Sequence, residues 1–268
     1  MTADARLDLK PAITIGNGPV VLAQPHGGTE IPEAIYQRLN PAGQARADTD
    51  WHISRLYANL LADASIVSTP IHRYVIDANR DPADVSLYPG QNTTSLCPTT
   101  TFEGAPIYLD GQAPSADEIG QRQRDYHQPY HDALREQLDR IRQKHGYVIL
   151  YDCHSIRSLV PYLFAGKLPD FNIGSNSGSS CDAAIELAVT RHCSAASTYS
   201  TVINGRFKGG WTTRHYGQPQ QGYHAIQMEL AQCNYMQEEA PWQYEAASAH
   251  KLRAILAGLL TELNTLFA

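Results

Sequence analysis

Short apolar segments that end in polar residues are the feature that most constrains the fold of this chain. Residues 20–23 (VVLA), 147–153 (YVILYDC) and 223–230 (YHAIQMEL) are of this kind. Such runs of about four to eight residues are typical of strands in a sheet that is covered on both faces. Helical patterns over residues 182–192 and 244–266 alternate with them. This alternation predicts an α/β fold with a mixed, mostly parallel sheet.

Local patterns predict the remaining regular elements. Further strands are expected at residues 65–68, 74–76 and 199–203, and further helices at residues 52–63 and 115–145. In the long helix, Ser115 and Glu118 form a capping box, and Pro129 is expected to kink or split the helix. No repeat or linker interrupts the pattern, so we expect a single domain over residues 1–268.

Two segments are predicted to be loops. Residues 165–180 are rich in Gly, Ser and Asn, and residues 81–111 are rich in Pro, Thr, Gly and Tyr without any period. A loop of about thirty residues is unusual in a compact domain. Residues 81–111 are therefore expected to form a lid or a binding loop, or to contain short elements that the pattern does not reveal.

Charge and cysteine content limit the classes of function. The chain has 21 Lys+Arg and 27 Asp+Glu, and its net charge of −6 argues against a nucleic-acid partner. We expect a cytoplasmic protein without a membrane partner, because no apolar run reaches about 18 residues and the charged N-terminus does not fit a signal peptide. The five cysteines lack CxxC spacing and are expected to be reduced thiols. The sequence leaves the oligomeric state open.

Polar and titratable residues cluster where the predicted strands end. They are His26 after the first strand, Asn79 and Arg80 after residues 74–76, Asp152 and His154 at the end of the long apolar strand, and Glu229 in the last strand. In open α/β sheets, ligands bind outside the carboxyl ends of the strands. Catalytic zinc typically has three protein ligands and a water, so imidazoles and carboxylates at one edge predict a metal centre.

Two histidines are the first candidate ligands. His26 lies in a Gly-flanked turn, and His154 follows a fully apolar strand; a turn or core histidine without such a role is the alternative for each. Alternation along the strand places Asp152 on the same side as His154, where it could orient the imidazole. Cys153 then faces the opposite side, which argues against a Cys153–His154 nucleophilic pair.

The third ligand and the base are carboxylates. Glu30, Asp48 and Asp50 all lie near the first histidine in sequence, and Asp48 or Asp50 is also the natural N-cap of the helix that follows. Glu229 lies in an apolar strand, where burial raises the pKa of a carboxyl toward that of a useful general base. A buried ion pair with an arginine is the alternative for Glu229.

An ordered set of motifs covers nearly the whole chain, from about residue 12 to 266. The motifs lie at residues 25–32 (PHGGTEIP), 48–57 (DTDWHISRLY), 73–80 (RYVIDANR), 152–156 (DCHSI) and 204–230 (NGRFKGGWTTRHYGQPQQGYHAIQMEL). Together they resemble the N-formylglutamate amidohydrolase family, also called N-formylglutamate deformylase. That family is similar in turn to zinc carboxypeptidases and aspartoacylase-type deacylases.

The resemblance implies a single three-layer α/β/α hydrolase domain with a central mixed sheet, and one divalent metal, preferably Zn²⁺. The implied reaction is hydrolysis of N-formyl-L-glutamate to L-glutamate and formate, in histidine degradation. By position, His26 and His154 correspond to the metal histidines and Glu229 to the base. The distant relatives place their carboxylate ligand three residues after the first histidine, where Thr29 stands here. Asp50 is therefore preferred as the third ligand, ahead of Glu30 and then Asp48.

The implied substrate is a small dicarboxylate, which needs two cationic partners. Asn79 and Arg80 correspond to the carboxylate clamp of the relatives. Arg73, Arg206, Lys208 and Arg214 are candidates for the second carboxylate or for the oxyanion. Arg73 and Arg80 stand at opposite ends of the predicted strand 74–76, so they are not expected to reach the same carboxylate. These arginines predict a basic cluster beside the metal, despite the net negative charge.

Three other functions stay open at this point. Another zinc-dependent N-acyl-amino-acid deacylase or a carboxypeptidase would share the metal and the base but differ in the pocket. A non-catalytic binding protein for an acidic metabolite would lack a bound or activating metal. A cysteine hydrolase would lose activity on thiol alkylation and keep it in chelator.

Overall fold

The computed structural model describes residues 9–87, 90 and 92–267. Within this part of the chain, seven strands form one sheet. They are β1 (Ala12–Thr14), β2 (Val20–Gln24), β3 (Ser65–Ser68), β4 (Val148–Ile156), β5 (Phe171–Gly174), β6 (Thr201–Ile203) and β7 (Tyr223–Ala231). The helices are α1 (Glu33–Tyr36), α2 (Pro41–Gln44), α3 (Ile53–Tyr57), α4 (Ala116–Arg122), α5 (Gln128–His145), α6 (Ala183–Ala195), α7 (Trp211–Tyr216) and α8 (Ala246–Thr265).

The sheet is mixed and mostly parallel, as the sequence predicts. Its strand order is β1-β3-β2-β4-β7-β5-β6. The four inner strands β3, β2, β4 and β7 run parallel, β1 and β5 pair antiparallel with their inner neighbours, and β6 runs parallel to β5. The carboxyl ends of β2, β4 and β7 therefore meet at one edge of the sheet.

Helices cover both faces of this sheet. On one face, α5 packs Leu134, Leu138 and Ile141 against alternate residues of the inner strands. On the other face, α3, α6 and α8 enclose a larger core around the remaining strand positions. Burial on both faces explains why β4 is apolar over nearly its whole length, since all nine of its residues are buried.

The long predicted helix is divided, as the proline indicates. The Ser115 side chain accepts a hydrogen bond from Glu118 N, which caps α4. A π-helical turn at Gln123–His127 then leads into α5, and Pro129 lies in the first turn of α5. The helix ends at Gly146, whose φ of 80° provides the left-handed C-cap.

Several predicted elements differ from the observed ones. Residues 74–76 form buried turns, because they pack with Leu96 and Ile107 of the following segment and not along the sheet. The predicted loop 165–180 contains β5, whose Phe171 and Ile173 bury against the core despite the polar composition around them. The helix predicted over 52–63 ends at Tyr57, and a short helix, α7, interrupts the Gly-rich stretch before β7.

Two predictions extend into residues that are not described. The expected single domain includes residues 1–8 and 268, and the predicted loop 81–111 includes residues 88, 89 and 91, all of which lie outside the described part. The described remainder of that loop forms no strand, and its β-type pairing is limited to two isolated bridges, Leu39 with Tyr108 and Thr100 with Pro106. Among the described helices, none combines the length and the apolar character that crossing a membrane requires.

Candidate metal centre and its cleft

Three buried side chains meet at the carboxyl edge of the sheet. His26 lies two residues after β2, Asp50 lies shortly before α3, and His154 lies within β4. One donor atom from each residue lies within 4.8 Å of the other two. The structure thus brings together the two histidines and the carboxylate that the sequence analysis prefers as metal ligands.

The two imidazoles face each other through the same ring atom. His26 Nδ1 and His154 Nδ1 are 3.1 Å apart. Asp50 Oδ2 lies 3.4 Å from His154 Nδ1 and 3.9 Å from His26 Nδ1, and it accepts a hydrogen bond from Ser155 N. Asp50 Oδ1 accepts no hydrogen bond from any described residue, although Arg73 Nη1 lies 3.6 Å from it. An anionic oxygen and two inward-facing ring nitrogens are a donor set that could hold a metal ion.

Each histidine has a further carboxylate near its Nε2 atom, on the side of the ring that points away from the other histidine. His26 Nε2 lies 2.7 Å from Asp77 Oδ1, and His154 Nε2 lies 3.0 Å from Asp152 Oδ1. The His26 Nε2–H donates to Asp77, which leaves His26 Nδ1 free to direct a lone pair into the site. Ligand histidines usually donate their other ring proton to a carboxylate or carbonyl in this way. His154 Nε2 also lies 3.0 Å from Asn79 Nδ2, an amide nitrogen that can only donate.

The carboxylates around His154 favour a positive charge on its imidazole. Burial alone would lower the pKa of His154, but the carboxylates of Asp152 and Asp50 raise it well above its usual value. Burial lowers the pKa of His26, and the nearby guanidinium of Arg73 lowers it further. Without a metal, a proton on His154 Nδ1 can therefore be shared with His26 Nδ1. A metal ion in the same place would displace that proton.

Glu229 lies beside His154, because β4 and β7 pair these two residues in register. Burial raises the pKa of Glu229 to about 8, with Asp50 adding to the rise and His154 opposing it. Its Oε2 accepts a hydrogen bond from Gln227 Nε2 at 3.3 Å, and no described lysine or arginine lies within 4.0 Å of its carboxylate. The arginine ion pair considered as an alternative is therefore not formed there.

The other two candidate ligands lie outside the trio. Asp48 Oδ2 accepts hydrogen bonds from Tyr74 Oη and Phe102 N, and Asp48 Oδ1 pairs with Arg157 at 3.0 Å. Both oxygens of Asp48 are therefore hydrogen-bonded, and the contacts connect the segments that carry Tyr74, Phe102 and Arg157. Glu30 is half-buried and lies at the isolated backbone bridge to residue 71.

Arg73 and Arg80 both approach the carboxylate of Asp77, although the predicted strand would have held them apart; whether they reach the same substrate carboxylate stays a prediction. Arg73 Nη2 lies 2.7 Å from Asp77 Oδ2, and Arg80 Nη2 lies 3.9 Å from the same oxygen. The reason is that residues 74–76 form turns instead of a strand, so their flanking arginines are not held at opposite ends. Arg73 is buried, and its guanidinium lies 4.6 Å from the ring centre of Phe102.

A cleft opens above Glu229 and the histidine at the end of β2. It is lined by His26, Arg73, Asn79, Arg80, Asn92, Thr93, Thr94, Phe102, Ser155, Ile156, Leu163, Arg206, Phe207, Gly210, Gln227 and Glu229. Three of the arginines in the predicted basic cluster therefore line the same cleft as His26 and Glu229. The described part of the loop 81–111 supplies four of these residues.

Asn79 and Arg214 are also predicted to bind the substrate, and the structure gives them different surroundings. The Asn79 side chain accepts a hydrogen bond from Thr212 N at 2.8 Å, and its Nδ2 lies 3.0 Å from His154 Nε2. It packs so closely on Gly210 that a Cβ there would lie 2.4 Å from Asn79 Nδ2. Arg214 is not among the residues that line the cleft, and its Nε donates to Gly209 O.

Sequence reasoning missed Asp77, Gln227 and Phe102. Asp77 binds His26 and Arg73, and Gln227 links Glu229 to Gly210 N. Asp77 lies inside the motif at residues 73–80, but its role depends on side chains that are distant in sequence. The alternation that pairs Asp152 with His154 also places Gln227 beside Glu229, which is a signal that could have identified Gln227.

Buried metal-ligating side chains beside a carboxyl of raised pKa are typical of hydrolases that activate water. Residues 18–236 match the model of the family described as N-formylglutamate amidohydrolase, and the chain belongs to that family. Two curated relatives are named N-formylglutamate deformylase. The Pseudomonas aeruginosa protein is 48% identical and the Pseudomonas putida protein 44% identical, each over 250 residues that cover 92% of this chain and 93% of the relative.

Two solved structures share the fold. A crystal structure of N-formylglutamate amidohydrolase from Ralstonia eutropha JMP134 matches with a TM-score of 0.80 and 23% identity, over 96% of this chain and 97% of that chain. A gene product of Agrobacterium tumefaciens matches with a TM-score of 0.67 and 19% identity, over 95% and 96% of the two chains.

Proposed function

We propose that this protein is a metal-dependent amidohydrolase that converts N-formyl-L-glutamate and water to L-glutamate and formate. The observation that carries the proposal is the buried trio of His26, Asp50 and His154 beside Glu229, since His26 and Glu229 line a cleft that is also lined by arginines. The names of two relatives that are at least 44% identical over most of the chain support the substrate. Histidine degradation and a cytoplasmic location stay predictions.

The trio is proposed to hold one divalent ion, preferably zinc. Two features support this: Asp50 Oδ1 accepts no hydrogen bond from a described residue, and the two Nδ1 atoms point at each other. Two imidazoles and one carboxylate suit zinc, although cobalt, manganese and iron accept the same donors. When bound, such an ion lowers the pKa of a water and polarises the formyl oxygen.

Glu229 is proposed to move the protons. Its raised pKa matches a base that works near neutral pH, and its carboxylate lines the cleft. It takes a proton from the attacking water and gives it to the amide nitrogen as the C–N bond breaks. Gln227 holds one carboxylate oxygen in place during both transfers.

The arginines are proposed to bind the two carboxylates and the developing oxyanion. Arg80 and Arg206 suit the carboxylates because both line the cleft, and backbone carbonyls fix their guanidinium groups. Arg73 suits the negative charge on the formyl oxygen because it lies among the metal ligands and their partners. Asn79 is assigned to orient His154, and Arg214 supports the cleft from outside its lining.

The test of this assignment is the Glu229→Gln variant, with Glu30→Gln as its matched control. We expect Glu229→Gln to bind one metal per chain and to lose about 10³-fold in kcat, because it keeps the site's shape and removes the base. Glu30→Gln should keep both metal and kcat. Near-full kcat in Glu229→Gln would remove Glu229 from the mechanism.

Substrate comparison separates the rival functions. Rates on N-formyl-, N-acetyl- and N-carbamoyl-L-glutamate distinguish a deformylase from another acyl-amino-acid deacylase. A binding protein would hydrolyse none of them. A cysteine hydrolase is disfavoured because Cys153 is buried within the core and burial raises the pKa of its thiol well above the usual value.

A further inference from the structure

Two histidines that are distant from the metal-binding trio contact the segment that carries Arg80. His127 is the last residue of the π-helical turn, and His131 lies one turn further along in α5. His127 Nε2 lies 3.1 Å from Arg80 O, and His131 Nε2 lies 2.8 Å from Ala78 O. The two imidazoles therefore reach the backbone on either side of Asn79.

These contacts fix which ring nitrogen carries the proton. A carbonyl oxygen only accepts, so the Nε2 atom of each histidine must donate. His131 Nδ1 is then the acceptor of the Tyr216 hydroxyl, which lies 3.0 Å away in α7. Burial lowers the pKa of both histidines, which favours these neutral donor forms.

Side-chain contacts hold much of the segment, whereas its backbone is irregular. Residues 77–80 belong to no strand or helix, so no backbone ladder fixes them. Within the segment, Asn79 N donates to Asp77 Oδ1 and Arg80 N donates to Asp77 O. A buried carbonyl without a partner costs free energy, so the histidines select one conformation of this segment.

The histidine pair is itself held by packing. The ring of Trp211, at the start of α7, lies 5.8 Å from His127 and 4.8 Å from His131, between ring centres. The next residue of α7 donates its backbone N–H to the Asn79 side chain. A π-helical turn is rare and is often found at functional sites, and here it ends on the histidine that contacts Arg80.

We propose that His127 and His131 are positioning residues for substrate binding, which act by fixing the Ala78 and Arg80 carbonyls and thereby the Arg80 guanidinium. Only the kinetic test of this role rests on the proposed function. The carbonyl contacts predict that loss of a donor weakens carboxylate binding and leaves the hydrolytic step largely unchanged.

The matched pair of variants is His127→Asn and His127→Gln. The glutamine amide reaches about as far as His Nε2, whereas the asparagine amide is too short to reach Arg80 O. Losing a net hydrogen bond predicts a KM for N-formyl-L-glutamate that is about five- to tenfold higher in His127→Asn, with kcat within about twofold. His127→Gln should stay near the wild type. If His127→Asn does not fold, His127→Phe keeps the ring packing and removes the donor.

The Arg80→Gln background tests whether His127 acts through Arg80. There, His127→Asn should raise KM by less than about twofold, because interacting residues are not additive. A full five- to tenfold increase in that background would overturn the proposed route through Arg80. An unchanged KM for His127→Asn in the otherwise wild-type protein would overturn the kinetic claim.

Amide hydrogen exchange of residues 77–80 gives a readout that needs no substrate. We expect faster exchange in this segment for His127→Asn, slow exchange for His127→Gln, and no change in β4. Equal exchange in both variants, or faster exchange throughout the chain, would contradict a positioning role. If the wild type did not hydrolyse N-formyl-L-glutamate, the proposed function would fail, and the exchange comparison would still decide this inference.

Discussion

Asp48 and Asp50 are two residues apart, and both are buried, yet their surroundings differ in kind. Asp48 has a partner on each oxygen: a tyrosine hydroxyl and a backbone N–H on one, and Arg157 on the other. Asp50 Oδ1 accepts no hydrogen bond from a described residue, and its other oxygen lies near two imidazole nitrogens. Asp48 is hydrogen-bonded on both oxygens, whereas Oδ1 of Asp50 has no such hydrogen bond from a described residue and lies 3.6 Å from Arg73 Nη1.

This contrast supports Asp50, rather than Asp48, as the proposed metal ligand. A buried charge is expensive unless it is paired, so an incompletely paired one indicates either strain or an absent partner. The pKa directions indicate which of the two carboxylates is favoured in its anionic form. Burial dominates at Asp48 and raises its pKa, whereas His154 and His26 outweigh burial at Asp50 and lower its pKa.

The largest expected difference is between Asp50→Asn and Asp48→Asn. Asp50→Asn removes an anionic ligand, so we expect loss of bound metal and a fall in kcat/KM of about 10³-fold or more. Asp48→Asn breaks the buried pair with Arg157, so we expect bound metal to be kept and the free energy of unfolding to fall by about 3 kcal/mol. Metal analysis and denaturant unfolding of both variants measure this. Metal loss in Asp48→Asn alone would reverse the two assignments.

The carboxylates behind the histidines extend the comparison. Asp77→Asn and Asp152→Asn each weaken the orientation of one histidine without removing a ligand. We expect each to lower zinc affinity by about 10- to 100-fold, as measured by competition with a chromophoric chelator. Unchanged affinity in both variants would mean that these carboxylates support only the fold.

The Glu229→Gln variant tests whether a buried carboxylate without an ion pair lowers the free energy of unfolding. The Glu229 pKa of about 8 lies above the ordinary glutamate value of 4.5, so the folded protein binds this proton more tightly than the unfolded chain does. Its contribution therefore destabilises the metal-free fold progressively as the pH rises from about 4.5 to about 8. We expect chelated Glu229→Gln to be more stable than the chelated wild type by about 2 kcal/mol at pH 6, and nearly equal to it at pH 4.5. A stability difference that does not change with pH would contradict the raised pKa.

The arginines give the smallest expected effect. Arg206 lines the cleft and Arg214 does not, so Arg206→Gln should raise KM about tenfold, and Arg214→Gln less than about twofold. Initial rates over a range of N-formyl-L-glutamate concentrations measure this. An equal rise in KM for both variants would mean that Arg214 also contributes to substrate binding.

The sequence predicted the parts of the molecule that depend on local pattern. The runs in β2, β4 and β7 indicated a buried parallel sheet, and its carboxyl edge indicated where His26, His154 and Glu229 would meet. The turns at residues 74–76 and strand β5 were not predicted, because apolar burial there depends on segments that are distant in the chain. For the same reason the sequence could not separate Asp48 from Asp50 by pattern alone, since only their tertiary partners distinguish them.

The most direct test of the account is a zinc titration of chelated protein, with N-formyl-L-glutamate hydrolysis and metal binding measured on the same samples. We expect negligible rates in the metal-free protein, and rates that rise in proportion to bound zinc up to one ion per chain. Asp50→Asn should show neither binding nor recovery over the same zinc range. Full activity in protein shown to be free of metal would contradict the proposed role of His26, Asp50 and His154.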